Sequence, residues 1–274
     1  MNEKTGRTVQ VRAENLTFKY SDHITAIKNI SFDLSAGERV ALVGHNGSGK
    51  STLARHFNGL LRPSSGKTWI QGLDASGHTV SQLAQKVALL FQNPDDQICK
   101  QVVRDEVAFG PDNLGYPRPK TDHLVNQALS DFDLFPLQLM NPHDLGFSER
   151  KRVALASIVA MDTPILVFDE PTAGFDAYET TLFINALERI KGENKTVLII
   201  THDMDFVAEN IPRILCLQEG EKVFDGSSRN FFSDNERLSQ CKLLPPQVVR
   251  LSAHFEQKKL AMTPEDFIGD LYLS

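Results

Sequence analysis

The residues with the most chemical content lie between positions 44 and 52, which read Gly44-His45-Asn46-Gly47-Ser48-Gly49-Lys50-Ser51-Thr52. Gly44, four intervening residues and then Gly49-Lys50-Ser51 fit the phosphate-binding loop pattern. A polyphosphate needs several backbone N–H donors aimed at one point, and Cβ atoms would obstruct that approach. Glycines at 44, 47 and 49 clear the space. The helix that follows adds about half a positive charge at its N-terminus. Lys50 can reach the β- and γ-phosphates and the Ser51 hydroxyl can ligate Mg²⁺. Gly44, Asn46, Gly47, Ser48, Gly49, Lys50, Ser51 and Thr52 are therefore the candidate binders of a nucleoside triphosphate.

Three further sites follow apolar runs. Ile165-Leu166-Val167-Phe168 is continuous, as a central parallel strand should be, and ends in Asp169-Glu170. Adjacent carboxylates at the mouth of a buried strand need a partner to offset the cost of burial, which points to Asp169 as a Mg²⁺ ligand and Glu170 as a water-polarising base. Val197-Leu198-Ile199-Ile200 ends in Thr201-His202-Asp203, where His202 can hydrogen-bond a γ-phosphate oxygen. Gln92 follows the run at 87–91. In an open α/β sheet ligands bind at the carboxyl ends of strands, so Gln92 reads either as a ligand-facing amide or as a turn cap. Tyr20, in a turn-rich stretch, can stack on a base or be an ordinary half-buried tyrosine.

The elements that must position these residues are legible in outline. Val9-Gln10-Val11, Leu16-Thr17-Phe18-Lys19-Tyr20 and Ile30-Ser31-Phe32-Asp33-Leu34 alternate as three strands, joined closely enough to pair antiparallel. A short helix over 53–61 follows the loop, with Pro63 as a stop. Strands are expected at 67–70 and 87–91. Residues 98–162 change character: helical segments at 122–132 and 149–161, separated by loops at 110–119 and 141–146, suggest a helical subdomain inserted into an α/β core. Ile214–Leu217 and Lys222-Val223-Phe224 form a hairpin across Glu219-Gly220. Residues 230–274 read as a helical tail, with Thr263-Pro264-Glu265-Asp266 starting a helix that carries Phe267, Ile268, Leu271 and Tyr272 on one face. That face either packs on the parent core or binds a partner, with dimerisation as one use.

At 274 residues with a net charge of −6, the chain lacks the basic surface expected of a nucleic-acid binder. Its apolar runs are too short to span a bilayer. The opening MNEKTGRT has no apolar stretch, so no signal peptide is expected. Cys99, Cys216 and Cys241 are odd in number, far apart in sequence and without metal-ligand spacing. They read as buried or incidental thiols of a reducing cytoplasm.

With these residues assembled, the chain resembles the ATPase subunits of ABC transporters over nearly its whole length. GHNGSGKST looks like Walker A, Gln92 like the Q-loop glutamine, ILVFDE (165–170) like Walker B, Ala173-Gly174-Phe175-Asp176 like the D-loop and His202 like the switch histidine, all in the family's order. Tyr20 sits where the adenine-stacking aromatic sits. The resemblance implies an α/β P-loop ATPase domain over 1–229, with an N-terminal antiparallel β subdomain, a mainly parallel core sheet, a helical subdomain at about 98–162 and a C-terminal extension at 230–274. It further implies ATP and Mg²⁺ (held by Ser51, Gln92 and Asp169), catalytic roles for Glu170, His202 and Gln92, and a peripheral place on the cytoplasmic face of the membrane. FQNPDDQI (91–98), VAFGPDNLG (107–115) and the tail are most similar to the ATPases of energy-coupling factor (ECF) transporters. Those take up vitamins and transition-metal ions through a transmembrane coupling protein and a substrate-binding membrane protein. Another ABC importer class is the alternative, as is a soluble ABC ATPase acting on nucleic acid; the acidic charge and the lack of a coiled-coil insertion count against the latter.

One motif departs from the family. Where LSGGQ is expected, the chain has Leu145-Gly146-Phe147-Ser148-Glu149. In the family's dimers this segment lies against the γ-phosphate held by the partner. A phenylalanine there obstructs backbone approach and a glutamate repels phosphate. The expected assembly is a heterodimer with a paralogous ATPase that carries an intact LSGGQ.

Overall fold

The structure, a computed structural model, describes residues 8–255 and 260–272. The opening segment 1–7, which bore on the signal-peptide expectation, lies outside the described residues, as do 256–259 and 273–274 of the expected helical tail. The side chains of Leu271 and Tyr272 lie outside them too.

β1 (Val9–Ser21) and β2 (Ile24–Ser35) pair antiparallel. The two runs expected at 9–11 and 16–20 are one strand. A bulge at Asn15, whose φ is 47°, shifts the register between Ala13 and Leu16, so burial passes from odd to even positions and the alternation breaks in the sequence. β3 (Arg39–Val43) leaves this sheet and leads into the phosphate loop and α1 (Lys50–Ala54). The helix is shorter than the expected 53–61. The backbone tightens after Ala54 into bonds such as His56 N–H to Leu53 O and Phe57 N–H to Ala54 O, ending at Gly59. β4 (Ser65–Ile70) adds to the free edge of β1, and β5 (Leu73–Asp74) to β4. The antiparallel subdomain therefore has the order β2-β1-β4-β5.

α2 (Val80–Ala84), opened by a Thr79/Gln82 capping box, precedes β6 (Val87–Leu90). The helical subdomain comprises α3 (Val103–Asn113), α4 (Arg118–Asp131) and α5 (Phe147–Ala160). Two expectations change here. The loop at 110–119 is mostly helix: α3 runs through Gly110 and Pro111, because Gly110 lets the Met161 side chain pack against the backbone and Pro111 falls in the last turn. α4 begins at Arg118 rather than 122, since Pro119 lies in the first turn where a missing N–H is tolerated. β7 (Ile165–Asp169), α6 (Ala177–Gly192), β8 (Thr196–Ile200), α7 (Met204–Asn210), β9 (Arg213–Gln218) and β10 (Glu221–Ser227) complete the core. The larger sheet has the order β10-β9-β3-β8-β7-β6, parallel except for β10 on β9.

This sheet is covered on both faces, which is why its strands read as unbroken apolar runs. Val40, Leu42, Val167, Leu198, Ile200 and Leu217 pack with the antiparallel subdomain and α1. Their neighbours Ala41, Val43, Phe168, Ile199 and Cys216 pack with the helices on the other side. The tail continues as α8 (Ser228–Phe232), α9 (Asn235–Gln240), α10 (Gln247–His254) and α11 (Pro264–Tyr272). α8 straddles the boundary expected at 229/230, and its buried Phe231 and Phe232 join the same core as Ile214 and Val207. Thr263 caps α11, accepting a 3.1 Å bond from Asp266 N–H. Among the described residues no helix is long and apolar enough to cross a membrane.

Candidate active site

β3, β6 and β7 end on the same edge of the large sheet, and their ends bring three of the sequence-predicted groups together. A cavity of about 570 Å³ is lined by Tyr20, Asn46, Gly47, Gly49, Lys50, Ser51, Thr52, Gln92, Asp169 and Glu170. Tyr20 reaches it from the end of β1, with its hydroxyl 3.1 Å from Thr52 Oγ1 and its ring edge-on to Phe18. The tyrosine is half exposed and stands among the residues lining the cavity.

The loop has the conformation its glycines permit. Gly44 has φ 145°, and a Cβ there would lie 2.2 Å from the Leu217 carbonyl oxygen on β9; Gly49 has φ 102° and a Cβ would meet the Ala26 carbonyl at 2.6 Å. Both positions exclude side chains on steric grounds. Lys50 folds back over the loop and donates to the Gly44 and His45 carbonyls at 2.8 and 3.0 Å. Burial pushes its ammonium below the ordinary lysine range, while Glu170 and Asp169 oppose that shift. Gly44 and Ser48 stand apart from the other predicted binders in the loop: neither lines the cavity, and Ser48 is fully buried, its side chain turned inward beneath Gly44 and its N–H given to the His45 carbonyl.

Burial raises the Asp169 carboxyl above the usual carboxylate range, and a hydrogen bond from Ser51 offsets part of that. The donors Ser51 hydroxyl, Asp169 carboxylate and Gln92 amide are all hard oxygen ligands of the kind Mg²⁺ takes. A buried carboxylate held up by desolvation is the group a divalent cation would relieve, so the residues present fit the metal. Glu170, directly after β7, has φ 50° and precedes Pro171, a strained setting for a non-glycine residue. The strain is held by its N–H, which donates to Ile200 O at 2.8 Å. Its Oε1 accepts a 2.8 Å bond from His202 Nδ1, so the histidine reaches the carboxylate from the end of β8 and not the cavity itself.

Sequence reasoning missed two partners. Lys151 on α5 is fully buried and donates to the Gln92 carbonyl at 2.6 Å. Burial takes its pKa down to about 8, with Asp169 and Glu170 pulling the other way. In the sequence it sits within Glu149-Arg150-Lys151-Arg152, a charge run that reads as solvated, so no signal marked it. The second is the ring of Phe147, at the start of α5. It packs so closely on Gly174 that a Cβ there would lie 2.9 Å from Cε1. The segment after Gly174 is also tied to α5: Asp176 and Glu179 form a capping box on α6, and Glu179 pairs with Arg152 at 3.2 Å. Glu149 accepts the Gly146 N–H at 2.8 Å at the start of its own helix.

The chain matches a family model described as ABC transporter over residues 27–173. A putative ABC transporter ATP-binding protein of Methanosarcina acetivorans is 39% identical over 88% of the chain; the chain spans 39% of that relative's length. An energy-coupling factor transporter ATP-binding protein, EcfA1 of Methanospirillum hungatei, is 38% identical, with 92% of this chain and 91% of the relative covered. Among solved structures, cbiO1 from Clostridium perfringens, part of the ABC transporter complex cbiONQ, superposes with a TM-score of 0.75 at 30% identity, covering 91% of this chain and 99% of that one.

Proposed function

We propose, proceeding from the fact that this chain belongs to the ABC transporter family of ATP-binding proteins, that it is the ATP-binding and ATP-hydrolysing motor subunit of an ECF-type importer for vitamins or transition-metal ions. The observation that carries the reading is the meeting of Lys50, Ser51, Gln92, Asp169 and Glu170 around one cavity at the sheet's carboxyl edge. Lys50 and the loop amides hold the phosphates, and Tyr20 stacks on the adenine. Ser51, Gln92 and Asp169 hold Mg²⁺, which supplies charge neutralisation at the phosphates. Glu170 accepts a hydrogen bond from the attacking water and aims it at the γ-phosphorus; His202 keeps that carboxylate in place. Positioning and charge are nearly all that phosphoryl transfer asks of a protein.

The assembly is a heterodimer. Phe147 stands exposed at the start of α5, and Glu149 sets a carboxylate there on the Gly146 N–H, which would repel a partner's phosphate. A paralogous ATPase with an intact LSGGQ completes the site that this chain's Walker A and Walker B begin. The transmembrane coupling protein docks on the helical subdomain at the cytoplasmic face of the membrane, and the substrate-binding membrane protein sets what is carried.

The test is Mg-ATP hydrolysis by the purified chain alone and mixed with a paralogous cassette, with Glu170→Gln as the contamination control. ATP binding without turnover alone, and turnover on mixing, is the expected outcome. Steady turnover by the chain alone that Glu170→Gln abolishes would show that Leu145 to Glu149 builds a working site, and the heterodimer would be overturned.

A further inference from the structure

β9 and α9 bring together two thiols that lie 25 residues apart in sequence: Cys216 Sγ and Cys241 Sγ are 3.3 Å from each other. Both are free thiols and both are buried. Cys216 lies in register with Val43, the residue before Gly44, and Cys241 closes α9 in the C-terminal extension. The surroundings select among the chemistries two thiols can share. Among the described residues no group of three or more His, Cys, Asp or Glu side chains stands together to hold a metal ion, and a tetrahedral metal site needs ligands beyond two sulfurs. A disulfide needs only these two sulfurs, already in contact at 3.3 Å, drawn together to bonding distance.

We propose that Cys216 and Cys241 form a covalent modification site, an internal cross-link made by exchange with a low-molecular-weight disulfide, which fastens the C-terminal extension to the strand beside the phosphate loop. With the tail docked, burial pushes the Cys216 thiol up, so it stays protonated and unreactive. Reaction passes through local opening of α9, a six-residue helix tied at its rim by Gln218 Nε2 donating to Gln240 O. Opening carries Cys241 out while Cys216 stays in the sheet. The Cys241 thiolate attacks glutathione disulfide, an S–S bond forms and one glutathione thiolate leaves. Before the tail redocks, Cys216, uncovered by the same opening, gives its proton to water; its thiolate attacks Cys241 Sγ, and the second glutathione leaves as a thiolate that takes up a proton. Two protein thiols lose two electrons and two protons, and one glutathione disulfide becomes two glutathione thiols.

The experiment uses the full chain, incubated reduced or with glutathione disulfide, acid-quenched, unfolded, alkylated and mapped by peptide mass; it depends on no reading of the chain's activity. The expected result is a Cys216–Cys241 linked peptide pair with Cys99 outside the link, and a melting temperature raised on the order of 5 °C or more that a reductant reverses. In Cys216→Ala, glutathione stays on Cys241 and the melting temperature does not rise; if that variant fails to fold, mapping of the unaltered chain still decides. Alkylated Cys216 and Cys241 after oxidation, glutathione retained on Cys241 of the unaltered chain, or a link that forms only in urea would each overturn the proposal.

Discussion

Glu170 and Lys151 are two buried charges set against one another, and each carries a prediction. Glu170 spends conformational energy to face the cavity: a positive φ on a residue before proline costs on the order of 1–3 kcal/mol, offset by the Ile200 and His202 hydrogen bonds. Glu170→Gln keeps the shape and removes the base. It should bind Mg-ATP within a few-fold of the parent, by equilibrium titration, while turnover in the assembled complex falls roughly 10²–10⁴-fold. Lys151 can be tested through pH. Its folded pKa of about 8 lies below the ordinary lysine value of 10.5, so between those values the unfolded chain holds the proton that the folded chain has released. Stability contributed at this position therefore rises with pH across about 8 to 10.5, the burial penalty being full below that window and gone above it. The melting temperature of the parent relative to Lys151→Met should climb through this range; a constant difference would mean that the lysine is solvated in the fold.

At the scale of elements, the decisive contacts link α5 to the strands beside it. The same helix delivers Lys151 to the end of β6, Arg152 to α6 and Phe147 to Gly174. A shift of α5 is therefore felt at both the Gln92 and the Asp176 segments. Gly174→Ala tests the aromatic contact. The substitution suffers both a positive φ of 83° and the Phe147 ring, so it should lower the unfolding free energy by about 1–3 kcal/mol. In a Phe147→Ala background the loss should shrink to the backbone part alone. Equal losses in the two backgrounds, by denaturant melts, would mean that the ring yields at no cost. Helix α3 teaches the complementary lesson. Gly110 and Pro111 mark a loop by local rules, yet packing against α5 through Met161 keeps them helical.

Across the whole molecule, one sheet separates two apolar cores, and the C-terminal extension belongs to the one that holds the helices. Phe231 and Phe232 are fully buried there, edge-to-face at 5.4 Å. Phe231→Ala should cost about 3–5 kcal/mol, as large-to-small changes of a buried aromatic do, and should shift a single unfolding transition when followed by near- and far-UV circular dichroism. Two separate transitions would show that the extension folds apart from the ATPase core. The Cys216–Cys241 contact crosses this same junction.

Much of the site is legible in the sequence alone. The loop at 44–52, Asp169-Glu170 and the unbroken runs of β7 and β8 are local signals, because phosphate binding needs glycine-rich backbone and a doubly covered strand needs apolar residues on both faces. The family's motif order followed from the same residues. Tertiary structure alone decided what depends on distant partners. It joined β1 across the Asn15 bulge, carried α3 through Gly110 and Pro111, turned Ser48 inward and set His202 on Glu170. It also buried Lys151 behind Gln92 and brought two thiols 25 residues apart into contact. Sequence periodicity records which face of an element is buried; what that face meets is fixed only when the chain closes on itself.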